Sequence, residues 1–402
     1  MTTTAQSLNA LGFAPVIAVV ADDRKSETSR VGKHFHPEST SQLGFASLAA
    51  AEQAGARSPR PAGARVYENL GVVYGTVDRA GLAALRADPA VRKVSAAPQF
   101  SLIRPVRGAA ATLESEHTWG LEAMEIPKLW QQGLDGGGVK VAHLDTGVDA
   151  GHPALRTAIA EFAQFGPDGR ETAGAGPSDS DVTDAHGTHT AATIAGRPVK
   201  RRHVGVAPAA LLYSAMVIEG GDVVARILGG MDWAVGEQVR VLSMSLGIRG
   251  IVADFLSVVD ILRSNRVLPI VAVGNEGPGT SRSPGNYPKA LGVGAHDSDF
   301  RVADFSSSQR FVRKSQPLVP DVVAPGVDVI SAGPNGGWHS LSGSSMATPH
   351  VAGLAALLLQ ARPEATAAKI ERAIFASAQR GSMDPDRVNR GAVNGPRALV
   401  AL

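Results

Sequence analysis

Short apolar runs alternate with polar, glycine-rich segments along much of the chain. Residues 139–144 and 270–273 are two such runs, and each ends in a turn signal, Asp-Thr-Gly and Gly-Asn-Glu-Gly respectively. Runs of this kind predict buried strands of a parallel sheet. The run from Val351 to Leu359 is longer and rich in Ala and Leu, which predicts a buried helix. The pattern therefore favours an α/β fold with a mostly parallel sheet flanked by helices.

The first 113 residues show a different order of elements. Strands are predicted at Val16–Ala21, Val66–Glu68, Val72–Val77 and Val91–Ala96, and helices at Leu43–Gly55 and Arg79–Ala87. A polar loop, Asp22–Ser41, follows the first strand, and a turn rich in Pro, Gly and Arg, Ala56–Ala64, precedes the second. The order βαββαβ is typical of ferredoxin-like α+β domains. We therefore expect a small separate domain before the α/β domain.

Composition excludes several classes of protein. The 402-residue chain contains no cysteine, which excludes disulfides, thiol catalysis and cysteine-ligated zinc. The net charge of +2 gives no reason to expect nucleic acid as a partner. No apolar span reaches the 18 residues that suggest a membrane-spanning helix. The first 113 residues are net basic and the remainder net acidic, so weak attraction between the two parts is expected.

The apolar run Leu11–Ala21 has the length of a signal-peptide core. However, no Lys or Arg precedes it, and Asp22 and Asp23 close it immediately. We interpret it as the first strand instead. The expected location is the cytoplasm, or the exterior by a route without a recognisable signal peptide. A monomer is expected, because no heptad or exposed apolar stripe stands out.

Ser345 lies in a small-residue turn, Ser342–His350, that leads directly into the predicted buried helix. At a helix N-terminus, free backbone N–H groups and the positive end of the helix dipole point outward. A serine there can attack a carbonyl while its own N–H holds the oxyanion. Ser344 or Ser345 could instead simply cap the helix. A nucleophilic serine also needs a base and an orienting carboxylate.

The candidate base is His186, because Gly187 leaves room for another segment to approach its imidazole. His189 follows three residues later, so a metal site has to be considered. No glutamate lies between the two histidines and no third ligand is evident. We therefore expect no metal and no cofactor.

Two further polar residues directly follow predicted strands. Asp145 comes after the run 139–144, and Asn275 follows the run 270–273. In open α/β sheets, ligands bind beyond the carboxyl ends of strands. Asp145 could orient the imidazole or only form a turn. Asn275 could donate a side-chain N–H to an oxyanion or only occupy a left-handed turn position.

In the order Asp145, His186, Asn275 and Ser345, with their flanking residues, the chain resembles the subtilisin-like serine peptidases, or subtilases. The resemblance runs from about residue 118 to the C-terminus. Further family-like segments are Gly205–Pro208, Ser243–Gly247 and Val323–Gly326. The resemblance implies a serine endopeptidase in which Asp145 orients, His186 is base and then acid, and Ser345 is the nucleophile. Asn275 would complete the oxyanion hole.

The resemblance also implies where a protein or peptide substrate binds. Substrate contacts are implied for Ser245, Leu246, Gly247, Gly274 and Arg282. The first three would form an edge on which substrate lies as an added antiparallel strand. Arg282 would lie near the floor of the specificity pocket, where a small residue is more usual. It could pair with an acidic or polar substrate side chain, unless Glu276 neutralises it.

The segment Ala83–Val94 looks like the end of a subtilase propeptide. This implies that residues 1–113 form a folding chaperone and inhibitor whose C-terminal tail occupies the active site. Residues 114–402 would then be the catalytic domain, with a linker at about 103–117 that is cut in a self-processing zymogen. The family's spacing points to a cut at 113–115, whereas the propeptide end alone would allow one as early as about Ile103.

Two positions depart from the family's pattern. The loop Arg197–Val204 precedes Gly-Val-Ala-Pro, where several members bind calcium, but here it carries four positive charges and no carboxylate. We expect no calcium there and interpret the loop as a solvated surface segment. His143 stands two residues before Asp145, on the same strand face, where an aliphatic residue is usual. A buried neutral histidine is expected.

Two other functions remain open. A transpeptidase or peptide macrocyclase would pass the acyl group to an amine instead of water. That chemistry typically needs inserted elements that shield the acyl-enzyme, and the catalytic part looks too compact to hold them. Alternatively, the intact chain is a stably autoinhibited binding complex that a partner activates.

Overall fold

The computed structural model describes residues 4–36, 64–218, 221–314 and 316–402. The predicted helix Leu43–Gly55 and nearly all of the turn Ala56–Ala64 lie outside the described residues. Among the described residues, no helix is both long and apolar enough to cross a membrane.

The N-terminal part contains a four-stranded antiparallel sheet. Its strands and helices are α1 (Thr4–Leu11), β1 (Ala14–Val20), α2 (Thr28–Val31), β2 (Arg65–Tyr67), β3 (Val72–Val77), α3 (Arg79–Ala87) and β4 (Val91–Ala96). The strands lie in the order β2-β3-β1-β4, so β3 separates β1 from β2 and β1 separates β3 from β4. This split arrangement is ferredoxin-like. The four predicted strands are confirmed to within two residues at each end.

The segment after β1 was expected to be a polar loop, but part of it is helical. Asp22–Glu27 and Gly32–His34 form 3-10 turns on either side of α2. Within this segment, Arg30 donates two hydrogen bonds to the Asp88 carboxylate, at 2.7 and 2.8 Å. Because Asp88 follows α3, this ion pair connects two segments that are distant in sequence, a contact that local polarity does not predict.

The second part is built on a seven-stranded sheet, and it also contains short strands outside this sheet. Its strands in chain order are β5 (Ser101–Leu102), β6 (Arg107–Ala111), β7 (Lys140–Asp145), β8 (Ile159–Gln164), β9 (Leu211–Met216), β10 (Val241–Met244), β11 (Leu246–Arg249), β12 (Leu268–Ala272), β13 (Arg282–Ser283), β14 (Leu291–His296), β15 (Gln309–Arg310), β16 (Leu318–Val319), β17 (Val322–Pro325), β18 (Val329–Ala332) and β19 (Trp338–Ser342). The large sheet has the order β17-β14-β12-β10-β7-β9-β8, and every pairing in it is parallel. The predicted parallel sheet is confirmed.

Helices accompany this sheet along the chain. They are α4 (Trp119–Ala123), α5 (Pro127–Trp130), α6 (His186–Ala195), α7 (Val223–Gly236), α8 (Leu256–Ser264), α9 (Ser344–Ala361), α10 (Ala367–Ser377), α11 (Pro385–Val388) and α12 (Gly395–Val400). Helix α9 is buried from Ser344 to Leu359 and packs against β10, β12 and β14. The buried helix predicted from the run Val351–Leu359 is confirmed. Its N-terminus carries the candidate nucleophile.

The N-terminal sheet packs on helix α7. Ile17 and Val72 of the sheet belong to the same buried apolar cluster as Met231 of the helix. At the rim of this contact, the Tyr74 hydroxyl donates to the Asp222 carboxylate at 2.6 Å. Burial of apolar surface is the main driving force in such contacts, whereas the attraction expected from opposite net charges is weak and long-range. The packing positions the segment after β4 beside the carboxyl edge of the large sheet.

Arg197 in the basic loop is not a solvated surface charge. Its guanidinium donates to the backbone carbonyls of Ala195, Pro208, Ala210 and Thr157. Burial lowers the Arg197 pKa. Lys200, Arg201 and Arg202 of the same loop are exposed, as the sequence predicted. The planar fork of Arg197 therefore joins three chain segments through their carbonyl oxygens.

Replacing Arg197 by alanine is expected to lower the free energy of unfolding by about 2–4 kcal/mol, because several carbonyl groups lose their donor together. Arg201→Ala, in the same loop but exposed, is the matched control and should change stability by less than about 0.5 kcal/mol. Urea unfolding followed by circular dichroism measures both values. Equal stabilities for the two variants would contradict the bridging role of Arg197.

Candidate active site

Asp145 and His186 are in direct contact at the carboxyl edge of the sheet. Asp145 is the last residue of β7, and His186 is the first residue of α6. His186 Nδ1 lies 2.7 Å from Asp145 Oδ1, and both side chains are fully buried. Gly187 permits this approach, because a Cβ at that position would lie 2.1 Å from the Gly147 carbonyl oxygen. The space that the sequence predicted beside the imidazole is thus filled by the turn after Asp145.

The contact shifts the pKa values of both groups. Burial alone would raise the Asp145 pKa, but the charge of His186 and its hydrogen bond outweigh this effect and the pKa is lowered. Burial alone would lower the His186 pKa, but the charge of Asp145 and the same hydrogen bond raise it above its usual value. The pair therefore favours an ionised carboxylate that stabilises imidazolium when His186 takes up a proton.

Two residues that the sequence did not single out contact Asp145 or its neighbour His143. Thr190 Oγ1 lies 3.3 Å from Asp145 Oδ2 and 2.9 Å from His143 Nε2, and Ser214 Oγ lies 3.1 Å from His143 Nδ1. Burial lowers the pKa of His143, which fits the expected neutral histidine. Thr190 stands one helical turn after His186, and this i, i+4 spacing is the signal that could have identified it.

Ser345 contacts the chain's own linker. It lies in the first turn of α9, after Gly343, and its side chain is fully buried. Its Oγ donates a hydrogen bond to the carbonyl oxygen of Ile103 at 2.7 Å. Among the described residues, His186 Nε2 has no hydrogen-bond partner. Helices α6 and α9, which carry the two residues, pack against each other.

Asn275 uses both ends of its side-chain amide. Its Oδ1 accepts from the backbone N–H of Ser344 at 2.8 Å, and its Nδ2 donates to the carbonyl oxygen of Arg104 at 3.0 Å. The preceding Gly274 has φ +118°, a conformation that side chains rarely adopt, and its N–H donates to Ser344 Oγ at 3.3 Å. The structure thus brings Asn275 and the first turn of α9 together at the linker.

The segment 101–103, which leads into the linker, extends along the edge that the family resemblance implies for substrate. Strand β5 pairs antiparallel with β11, with Leu102 opposite Leu246 and Ser101 opposite Gly247. The Ile103 N–H donates to the Ser245 carbonyl at 3.1 Å. Ser245 Oγ in turn donates to the Ser345 carbonyl oxygen at 3.1 Å. The chain therefore occupies its own candidate substrate edge by strand addition.

Arg282 is neutralised by a neighbouring carboxylate. Its Nε donates to Glu276 Oε1 at 2.9 Å, and its Nη2 also contacts that oxygen. The third guanidinium nitrogen, Nη1, donates to Ser101 Oγ of strand β5 at 2.9 Å. Only 7% of the Arg282 side chain is exposed. The neutralisation by Glu276 that the sequence raised is thus present, and the ion pair leaves one guanidinium donor that reaches Ser101.

His189 is engaged in the core. Its Nε2 lies 2.9 Å from the Val329 carbonyl oxygen, and burial lowers its pKa to about 3. Among the described residues, no group of three or more His, Cys, Asp or Glu residues is arranged to hold a metal ion. His189 therefore serves packing between α6 and β18.

The sequence of the chain is similar to that of a known protein family and of several characterised proteins. Residues 136–395 match the model of the subtilase family. Over 299 residues, the chain is 35% identical to an alkaline protease from Shouchella clausii, covering 74% of this chain and 71% of that protein. It is 39% identical over 247 residues to Subtilisin Savinase from Lederbergia lenta, covering 61% and 85% of the two chains. Subtilisin E from Bacillus subtilis (strain 168) is 37% identical over 258 residues, which cover 63% of each chain.

Proposed function

The chain belongs to the subtilase family and is a serine endopeptidase, and from this premise we propose that it is a self-processing zymogen with Asp145, His186 and Ser345 as its catalytic triad. The single observation that carries the proposal is the 2.7 Å hydrogen bond from Ser345 Oγ to the Ile103 carbonyl oxygen. The nucleophile thereby faces a peptide bond of its own chain.

In the proposed mechanism, Ser345 Oγ attacks the carbonyl carbon of the bond to be cut. Its proton passes to His186 Nε2, since Nδ1 is held by Asp145. The negative charge that develops on the carbonyl oxygen is stabilised by Asn275 Nδ2 and the Ser345 N–H. His186 then donates the proton to the leaving amine as the C–N bond breaks. Water hydrolyses the resulting acyl-enzyme, with His186 again acting as base.

The first cut is proposed at Ile103–Arg104. Ile103 is fully buried, and its N–H and carbonyl oxygen are held by Ser245 and Ser345. Asn275 donates to the next carbonyl, that of Arg104, so the Ile103 oxygen has to replace it during reaction. A cut at 113–115 receives less support, because the Leu113 side chain is buried in the main apolar cluster.

The residues before this bond are proposed to form the inhibitor, and those after it the catalytic part. Support comes from the packing of the N-terminal sheet on α7 together with the strand pairing of β5 on β11. A peptide held on the substrate edge excludes other substrates. Release of the N-terminal domain would therefore be required for activity on other chains.

The direct test follows the freshly purified full-length protein over time by intact mass, with a fluorophosphonate probe present in parallel samples. We expect a fragment that begins at Arg104 and a probe adduct on Ser345. N-terminal sequencing distinguishes this product from one that begins at 114–116. A full-length chain that stays uncut, and that remains unlabelled by the probe even after limited proteolysis has removed its N-terminal domain, would contradict the proposal.

The activity of the processed enzyme should rise with pH through the pKa of His186. A general base must be neutral to accept the serine proton, so activity is present above the His186 pKa and lost below it. Because Asp145 raises this pKa, the acid limb of kcat/KM should lie above the usual histidine value of about 6.5. A profile measured on a peptide without titratable groups checks this, and a flat profile between pH 5 and 9 would contradict the role of His186.

Arg282 is proposed to recognise the substrate residue that takes the place of Ser101. Replacing Glu276 by glutamine removes the competing carboxylate, so Arg282 should bind an acidic side chain there about tenfold better than the neutral amide. The measurement compares two peptides that differ only in Asp or Asn at this position, with wild type and Glu276→Gln. An Asp-to-Asn rate ratio that the substitution does not change would exclude Arg282 as a determinant of specificity.

A further inference from the structure

We propose that strand β19 is a second peptide-binding edge, which takes the residues that follow the bond being cut. It would prefer a basic residue at the fourth position and glycine at the fifth position after that bond. This inference rests on the proposed function, because positions are counted from the Ile103–Arg104 bond. The ligand is an extended peptide, and the chain's own β6 shows how such a peptide would bind.

The backbone contacts form a continuous ladder next to Ser345. The Val106 N–H donates to the Ser342 carbonyl at 2.8 Å. From there β6 pairs antiparallel with β19, from Arg107 opposite Ser342 to Ala111 opposite Trp338. Strand β18 occupies the other side of β19, so the sheet order is β18-β19-β6. Without β6, the side of β19 that faces the linker would be an open edge, which is a template for an added strand.

Charge selects the residue at the fourth position. Arg107 Nη2 lies 2.6 Å from Asp328 Oδ2, and Arg107 Nε donates to Ser342 Oγ at 3.2 Å. Asp328 is held in position because its own N–H donates to Ser342 Oγ at 2.8 Å. Its backbone has φ +50°, an uncommon conformation for a non-glycine residue. The ion pair is about 60% exposed, so it discriminates between charges more than it adds affinity.

Space selects the residue at the fifth position. A Cβ on Gly108 would lie 2.6 Å from Leu341 Cδ2 and 3.1 Å from His339 Nε2. Leu341 cannot easily yield, because it is fully buried in a small cluster with Val329 and Met346. Any side chain at this position would have to displace that cluster. Glycine is therefore favoured by the close approach of the two strands.

The first cut would free this edge for other peptides. It separates Arg104 from the strand β5 that is held on β11, and the segment 104–111 is then held by its pairing with β19, the Arg107–Asp328 ion pair and the Asn275–Arg104 hydrogen bond. A substrate that extends past Ser345 in the same direction reaches β19 within three residues, as Val106 does. The two edges, β11 and β19, would then hold a substrate on both sides of the bond.

The test uses the self-processed protein and peptides with the sequence of residues 98–111. One peptide has the natural sequence, one carries Glu in place of Arg107, and one carries Leu in place of Gly108. A fourth, with Glu in place of the exposed Ala109, is the control for added negative charge. Each is assayed with wild type and with Asp328→Arg. With the wild-type enzyme, we expect KM to be about fivefold higher for the peptide with Glu in place of Arg107 and for the peptide with Leu in place of Gly108 than for the natural peptide, without a change in kcat.

With Asp328→Arg, the peptide with Glu in place of Arg107 should have a lower KM than the natural peptide. The peptide with Leu in place of Gly108 should keep its raised KM. Equal KM values for all four peptides, or a preference that Asp328→Arg does not alter, would overturn the inference while leaving the proposed peptidase function intact. If the segment 104–111 stays bound to β19 after the cut, added peptides cannot reach this edge, and their KM values would likewise be equal.

An activity-independent measurement covers the case in which no peptide is cut. Amide hydrogen exchange is then compared in full-length Ser345→Ala and in the same variant with Arg107→Glu. If the amides of residues 106–111 exchange slowly in Ser345→Ala, and faster when Arg107→Glu is added, the β19 edge is supported even if the proposed function fails. Rapid exchange of these amides in both proteins overturns it.

Discussion

Replacing Ser345 by alanine is expected to leave the full-length chain uncut and unreactive towards the fluorophosphonate probe. The change removes the hydroxyl that, in the first turn of α9, contacts the Ile103 carbonyl oxygen. For the corresponding serine of subtilisin the loss in kcat is about 10⁶-fold, and we carry over that order of magnitude. Intact mass over time and peptide hydrolysis measure the effect. Folding should be unaffected, because alanine fits the same helical position.

Ser344→Ala is the matched control, because it removes the neighbouring hydroxyl from the same helical turn. Ser344 Oγ accepts one hydrogen bond, from the Gly274 N–H at 3.3 Å. Losing one such neutral bond costs about 1 kcal/mol, so activity should stay within about tenfold of wild type. Processing by Ser345→Ala, or complete loss of processing in Ser344→Ala, would show that the nucleophile has been assigned to the wrong serine.

Asn275→Ala should lower kcat about 10²–10³-fold with little change in KM, a magnitude known for the corresponding asparagine in subtilisin and taken from it. The side chain donates from Nδ2 to the Arg104 carbonyl oxygen, and the Ile103 oxygen would take this place as the oxyanion develops. An interaction that strengthens only as charge develops affects kcat more than substrate binding. Steady-state kinetics on a peptide substrate separate the two parameters.

Asn275→Asp tests the donor separately from the acceptor. Aspartate keeps an oxygen that can accept from the Ser344 N–H, as Asn275 Oδ1 does at 2.8 Å. It replaces the Nδ2 donor by a second oxygen, which would repel a developing negative charge. We expect a loss at least as large as that of Asn275→Ala, with an unchanged melting temperature. Wild-type activity in the aspartate variant would exclude Asn275 from the oxyanion hole.

The strands and helices that bury apolar side chains could be predicted from the sequence, because their periodicity is local. Strand β7 before Asp145, strand β12 before Asn275 and helix α9 at Ser345 all carry long apolar runs. Short strands were not predicted, because they carry no such apolar periodicity. Strand β6 has the sequence Arg-Gly-Ala-Ala-Ala, which shows no apolar alternation, and its pairing with β19 depends on backbone groups and on contacts of Arg107 with distant residues.

The environment of a charged side chain was equally hard to predict. Arg197 and Arg201 stand in one basic loop, yet the first donates to four backbone carbonyls and the second is exposed. Arg282 was expected to face either substrate or Glu276, and it contacts both Glu276 and Ser101. These partners are close in space because of tertiary packing, and several are far away in sequence.

The family, the parallel sheet and the residue types at strand ends and helix starts could all be predicted from the amino-acid sequence, since each depends on a pattern of a few neighbouring residues. Tertiary packing was needed to determine which peptide bond lies at Ser345 and how the segments 101–103 and 106–111 pair with β11 and β19. Those features depend on contacts between segments more than 100 residues apart, most of them backbone hydrogen bonds, and such contacts leave no signature in the local sequence.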